Sequence, residues 1–96
     1  MKKNVLQDVY DYLREVKAVE SESEFSTDWL CRSECYMRSL RFKKSQPSIG
    51  TLGICASKLN YYGNKFKKNS TNNDIALKLL KFSEDCTRQV NYLSNS

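Results

Sequence analysis

Apolar residues in this chain recur at helical spacing in every patterned stretch and at strand spacing in none, so the fold must be assembled from helices. Val5, Val9, Tyr12, Leu13 and Val16 share one face between residues 3 and 17, with Leu6 and Tyr10 beside that stripe. Ile49, Leu52, Cys55, Ala56 and Leu59 make a second such face. Ile75, Leu79, Phe82, Cys86 and Leu93 make a third, at nearly heptad spacing, with Val90 beside it. A chain of 96 residues buries roughly two thirds of the surface it exposes when unfolded, enough for one core and not for two. The expected fold is all-α, a compact bundle of about five helices.

Local punctuation divides the chain further. Ser21 and Glu24 have the S-x-x-E spacing of a capping box, so a second helix is expected from about Glu22 to Cys31, with Phe25 and Trp29 on its inner side. Ser33 is a suitable N-cap for a third helix reaching Lys43, burying Tyr36, Met37 and Leu40. Pro47 disfavours helix at Gln46, and Ser48 can cap a fourth helix carrying the second apolar face. Gly50 and Gly53 cost that helix about 1 kcal/mol each relative to Ala and are read as allowing close helix packing. Residues 61–73 are rich in Asn, Lys and Ser and are expected to be a polar, basic loop, with Lys65, Lys67 and Lys68 following a nucleic-acid backbone or unstructured. This yields a head over 1–60, the loop over 61–73, and a C-terminal helix over 74–93 that packs on the head or dimerises.

The net charge of +5 is unevenly spread. Residues 1–30 carry a net −3, residues 31–68 hold nine basic groups against Glu34 alone, and the remainder balances. Such clustering points to a polyanion, with nucleic acid ahead of acidic protein. No run is long and apolar enough to span a membrane, and Gln7, Asp8, Asp11 and Arg14 interrupt any export signal after Lys2 and Lys3, so a cytoplasmic protein with reduced cysteines is expected. Cys31, Cys35, Cys55 and Cys86 lack the C-x2-C knuckles of structural zinc, and no metal or cofactor is expected. With no His, no glycine-rich phosphate loop and no G-x-S-x-G, nothing points to an enzyme.

The segment from Phe25 to Leu40 has the parts of a helix-turn-helix. Leu30 and Met37 can seal the inside of the angle, Met37 and Leu40 can anchor the second helix, and Cys31 stands where the turn wants a small residue. A helix enters the major groove only if its inner side is gripped by neighbours and its outer side is polar, preferably cationic. Trp29, Phe25 and Tyr36, which could stack on bases, fall at core spacing instead.

Residues 5–60 resemble the lambda-repressor-like, or XRE-type, helix-turn-helix domain in the pattern Phe25…Trp29-Leu30-Cys31-Arg32-Ser33…Tyr36-Met37…Leu40 followed by Pro47-Ser48…Leu52…Ala56…Leu59. The chain is also similar to small uncharacterised proteins of bacteria and mobile elements with an EFS-x-x-W-L-x-R-S-x-x-Y core. It departs from the domain family in having Ser26 and Thr27 where Ala is usual, and Cys31 in place of the turn Gly. The resemblance implies a DNA-binding transcriptional regulator of bacterial or phage type, with a recognition helix over about 33–43. Double-stranded DNA would be met by Arg32, Ser33, Glu34, Arg38, Arg41, Lys43, Lys44 and Gln46, Arg38 and Arg41 contacting guanine or phosphate. A homodimer through Ile75, Leu79, Phe82, Cys86 and Leu93 would present two such helices to half-sites about 34 Å apart. The alternative is an inhibitor of a host nucleic-acid-binding system, comparable to an anti-CRISPR protein, whose partner is a host protein or nucleoprotein complex.

Overall fold

The computed structural model describes residues 4–69 and 73–94. Five α-helices follow one another, and no strand occurs among the described residues. Helix α1 spans Val5–Glu15, α2 Glu22–Glu24, α3 Tyr36–Lys43, α4 Ile49–Asn69 and α5 Asn73–Ser94; α2 continues directly into a π-helical segment, Phe25–Trp29. The all-α expectation holds.

Helix α1 starts at Asn4, whose side chain accepts the Leu6 N–H at 2.8 Å. It ends at Lys17, in the left-handed region at φ 64°, with the Ala18 N–H donating to the Leu13 carbonyl at 2.8 Å. The capping box at Ser21 forms: Ser21 Oγ accepts the Glu24 N–H at 3.2 Å, and the Glu24 carboxylate reaches back to the Glu20 N–H. Ser48 caps α4 as its sequence suggests, taking the Thr51 N–H at 3.2 Å.

Two long helices form the platform. Helices α4 and α5 run antiparallel, since Cys55 meets Cys86, the buried Ser83 hydroxyl donates to the Ala56 carbonyl at 2.8 Å, and Gly63 faces Ala76 and Leu80. Leu52, Cys55 and Leu59 of α4 are fully buried together with Leu6, Val9 and Leu13 of α1 and Phe25 and Leu30 of the middle segment. In α1 the residues expected beside the stripe, Leu6 and Tyr10, are buried, while Val5 and Tyr12 are only partly so. The face is rotated because α1 meets α5 on one side, through Tyr12 against Phe82, and the π segment on the other, through Tyr10 against Phe25.

Three expectations need correcting. The basic loop over 61–73 is helical through Asn69; residues 70–72 lie outside the described residues. Leu59 and Gly63 continue the buried side of α4 through this stretch; beside them the exposed Tyr62 packs on Trp29 with ring centroids 5.1 Å apart, and the exposed Phe66 borders a recess with Ile75 and Leu79. The stripe assigned to dimerisation is covered within the chain: Leu79, Phe82 and Cys86 are buried in the common core, and Ile75 and Leu93 pack against it. Matching apolar faces of α1 and α4 are tethered nearby on the same chain and cover it. Finally, a Cβ on Gly50 or Gly53 would meet nothing within 4 Å, whereas one on Gly63 would come within 2.7 Å of Leu80 Cδ2. Close packing is therefore needed at Gly63, and Gly50 and Gly53 face open space.

The glycine geometry sets a test by thermal unfolding. Gly53→Ala should stabilise the fold by about 1 kcal/mol through helix propensity. Gly63→Ala should fall below that variant by the cost of displacing Leu80, on the order of 1–3 kcal/mol. Equal melting temperatures would show that the α4–α5 approach is looser than described.

Candidate nucleic-acid interface

Helix α3 is joined to the π segment by residues 30–35. Leu30 is fully buried and fixes the start of this joint, while Cys31 turns the chain at φ 54°. This is the backbone position where glycine is favoured, so Cys31 keeps the turn at a local cost of about 1–2 kcal/mol. Ser33 does not cap α3. Its carbonyl accepts the Tyr36 N–H at 3.0 Å in a turn, and the helix starts at Tyr36 after Cys35, which makes no side-chain cap. One N–H at the start of α3 that has no partner within the helix is satisfied from another element: the fully buried Ser26 hydroxyl accepts the buried Met37 N–H at 3.4 Å. Ser26 is thus small enough for the close approach and bonds across it.

Only one side of α3 is gripped. Met37 is buried, and Tyr36 and Leu40 are partly buried against the core. At 100° per residue, Arg38, Ser39 and Phe42 lie opposite that side, and all are exposed. Helix α3 ends on Lys44 in the left-handed region at φ 53°, where the Ser45 N–H donates to the Leu40 carbonyl.

The sequence-derived site residues divide by what the fold already asks of them. Arg32, though exposed, is engaged by its own chain: Nε donates to Thr51 Oγ1 at 2.9 Å, Nη2 donates to Ser48 Oγ at 3.1 Å, and the guanidinium lies over the Tyr36 ring at 5.4 Å. It ties the turn to the start of α4. Arg41 forms a two-pronged ion pair with Glu22, one prong at 3.0 Å, and that bond raises its pKa further above its ordinary value. The pair links α3 to α2. Arg38 donates to Cys35 Sγ at 3.3 Å and is exposed, as are Lys43 and Lys44. Glu34 borders a shallow recess with Glu22, Arg38 and Arg41. Gln46 instead borders a recess with Pro47, Val5, Tyr92 and Leu93, near the start of α1 and the end of α5. Phe42, 88 % exposed, is the residue that sequence reasoning passed over. Its signal was an apolar residue out of phase with Met37 and Leu40.

The basic segment does not converge in space. Lys65, Lys67 and Lys68 sit near the far end of α4, about 24–29 Å along the helix from Ile49. A recess of about 870 Å³ runs there along α4 and α5 and offers Asn60, Asn64, Lys65, Lys68, Ser83 and Thr87 but no carboxylate. Of the cysteines, Cys31 and Cys35 are exposed, and Cys55 and Cys86 are buried. The hydrogen bond to Cys86, together with burial, pushes the Cys55 thiol well above its ordinary pKa, so it stays protonated at neutral pH. Among the described residues no three His, Cys, Asp or Glu side chains are grouped to hold a metal, and no helix is long and apolar enough to cross a membrane.

Residues 6–95 match a family of unknown function, DUF6626, and the chain belongs to that family. No curated protein and no solved structure matches the chain.

The joint predicts a measurable effect. Ser26→Ala should leave the Met37 N–H without its partner and cost about 1–2 kcal/mol in chemical denaturation. An unchanged midpoint would mean that the serine contributes only its small size.

Proposed function

We propose that this chain is a DNA-binding transcriptional regulator of bacterial or phage type, in which the π segment and α3 act as a helix-turn-helix. The observation that carries the reading is the asymmetry of α3. One side is held by Met37 and Leu40, and the other presents Arg38, Ser39 and Phe42, with Lys43 and Lys44 at the exit. A helix with its side chains is about 10–12 Å across and the major groove about 12 Å wide, so such a helix fits the groove with its free side toward the bases.

The roles follow from which side chains are already engaged. Arg38 is the base or phosphate reader, because its contact to Cys35 is weak and easily exchanged. Lys43 and Lys44 meet the flanking phosphates. Arg32 and Arg41 are positioning residues, one holding the turn to α4 and the other holding α3 to α2. The role is one of binding, with no catalytic step, and its place is the cytoplasm, where bacterial and phage DNA is found.

Fluorescence anisotropy on random-sequence duplex tests this. Affinity should fall with salt, as expected when about three phosphates are neutralised by Arg38, Lys43 and Lys44. Arg38→Ala should weaken binding about tenfold with an unchanged circular dichroism spectrum. Failure to bind duplex at about 50 mM salt, where phosphate contacts are strong, would overturn the reading in favour of an inhibitor that binds a host protein or nucleoprotein complex.

A further inference from the structure

Phe42 is the most exposed of the large apolar side chains in the described structure, at 88 %, and it stands near the centre of the free side of α3. A phenyl ring held in water on a rigid helix is unfavourable by its exposed apolar area and contributes nothing to the core. Its surroundings narrow what could cover it. Arg38 lies one turn before it, Ser39 beside it and Lys43 after it, all exposed, so the ring is an isolated apolar spot among polar and cationic groups. The centre of a protein–protein interface is depleted of charge and contiguous in apolar area, which this side of α3 is not. Tyr61, Leu77 and Tyr92, also well exposed, belong to α4 and α5.

We infer that Phe42 is a specificity-determining residue that reads thymine through its 5-methyl group in the major groove. This rests on the DNA-binding reading above and goes beyond it by naming the base. The major-groove edges of the four base pairs present hydrogen-bond donors and acceptors and one apolar group, the thymine methyl. A ring with no donor can gain from that group alone, and seating on it removes apolar surface of both partners from water. The cationic neighbours supply the sequence-independent attraction that brings the ring to the groove. Arg38 and Phe42 are four residues apart, about 6 Å along the helix, and base pairs are stacked about 3.4 Å apart. The thymine therefore lies one or two base pairs from the position that Arg38 meets.

The test begins by enriching bound sequences from a random-sequence duplex pool with the full chain, then remaking the enriched duplexes with dUTP in place of dTTP, which removes only the methyl groups. The wild-type chain should bind the uracil duplexes about fourfold more weakly for each methyl that is covered. Phe42→Ala, whose circular dichroism should be unchanged because the side chain is exposed, should bind both forms equally. Phe42→Leu, which keeps an apolar tip, should retain part of the preference. Equal binding of both duplexes by the wild type, or a preference that survives in Phe42→Ala, would overturn the assignment while leaving DNA binding intact. If no sequence binds or is enriched at low salt, the DNA reading itself fails, and Phe42 is then a contact for a protein partner.

Discussion

The approach of α4 to α5 at Gly63 is the constraint on which the other packing rests. With no side chain there, Leu80 lies directly over the α4 backbone, and the pair is drawn together along the Ser83–Ala56 bond and the buried cysteines. The shared apolar side of this pair receives α1 through Leu6, Val9 and Leu13, and receives the π segment through Phe25, Trp29 and Leu30. Helix α3 has no such platform of its own. It is carried by the joint at Leu30 and Met37, by the Ser26 hydroxyl, and by two arginine links running back to α2 and α4. A short helix held in this way is rigidly aimed yet leaves most of its circumference free, which suits recognition.

Burial and charge serve different ends in the chain. The acidic first third supplies Glu22, which takes Arg41 out of the free cationic set, and Ser48 with Thr51 takes Arg32. Arg38, Lys43 and Lys44 remain around α3. The three lysines at the end of α4 are too far along that helix to join them on one face of the size of α3. A net charge concentrated in one sequence segment is thus split in space by the straightness of a 21-residue helix.

Much of the fold was legible in the sequence where the signal was local. The Ser21 and Ser48 caps, the buried spacing of Met37 and Leu40, and the apolar stripe of α5 all occur as read. What failed depended on tertiary partners or on backbone conformation. The stretch after Leu59 looked like a loop because Asn and Lys dominate it; Tyr62 and Phe66 stay exposed, and their contacts with Trp29 and with the recess beside α5 exist only in the folded chain. Ser33 has the residue type of a cap, but it lies in a turn that closes on the Tyr36 N–H, and α3 starts only there. Lys17 and Lys44 take left-handed positions usually given to glycine, and no compositional signal marks them. The α5 stripe was correctly read as buried in kind, but its cover comes from the same chain. Around α3, the exposure of Arg38 and Lys43 follows from their spacing, whereas the internal engagement of Arg32 and Arg41 depends on partners distant in sequence, and Phe42 is an apolar residue on the outer side of its helix.

The central claim is that the free side of α3, and no other basic surface of the chain, meets duplex DNA. Amide chemical-shift mapping by NMR during titration with a short duplex tests it most directly. The account predicts that the largest shifts fall on Arg38, Ser39, Phe42, Lys43 and Lys44, with Lys65, Lys67 and Lys68 little changed. Shifts centred instead on the α4–α5 recess around Asn64 and Lys68, with α3 unperturbed, would contradict it.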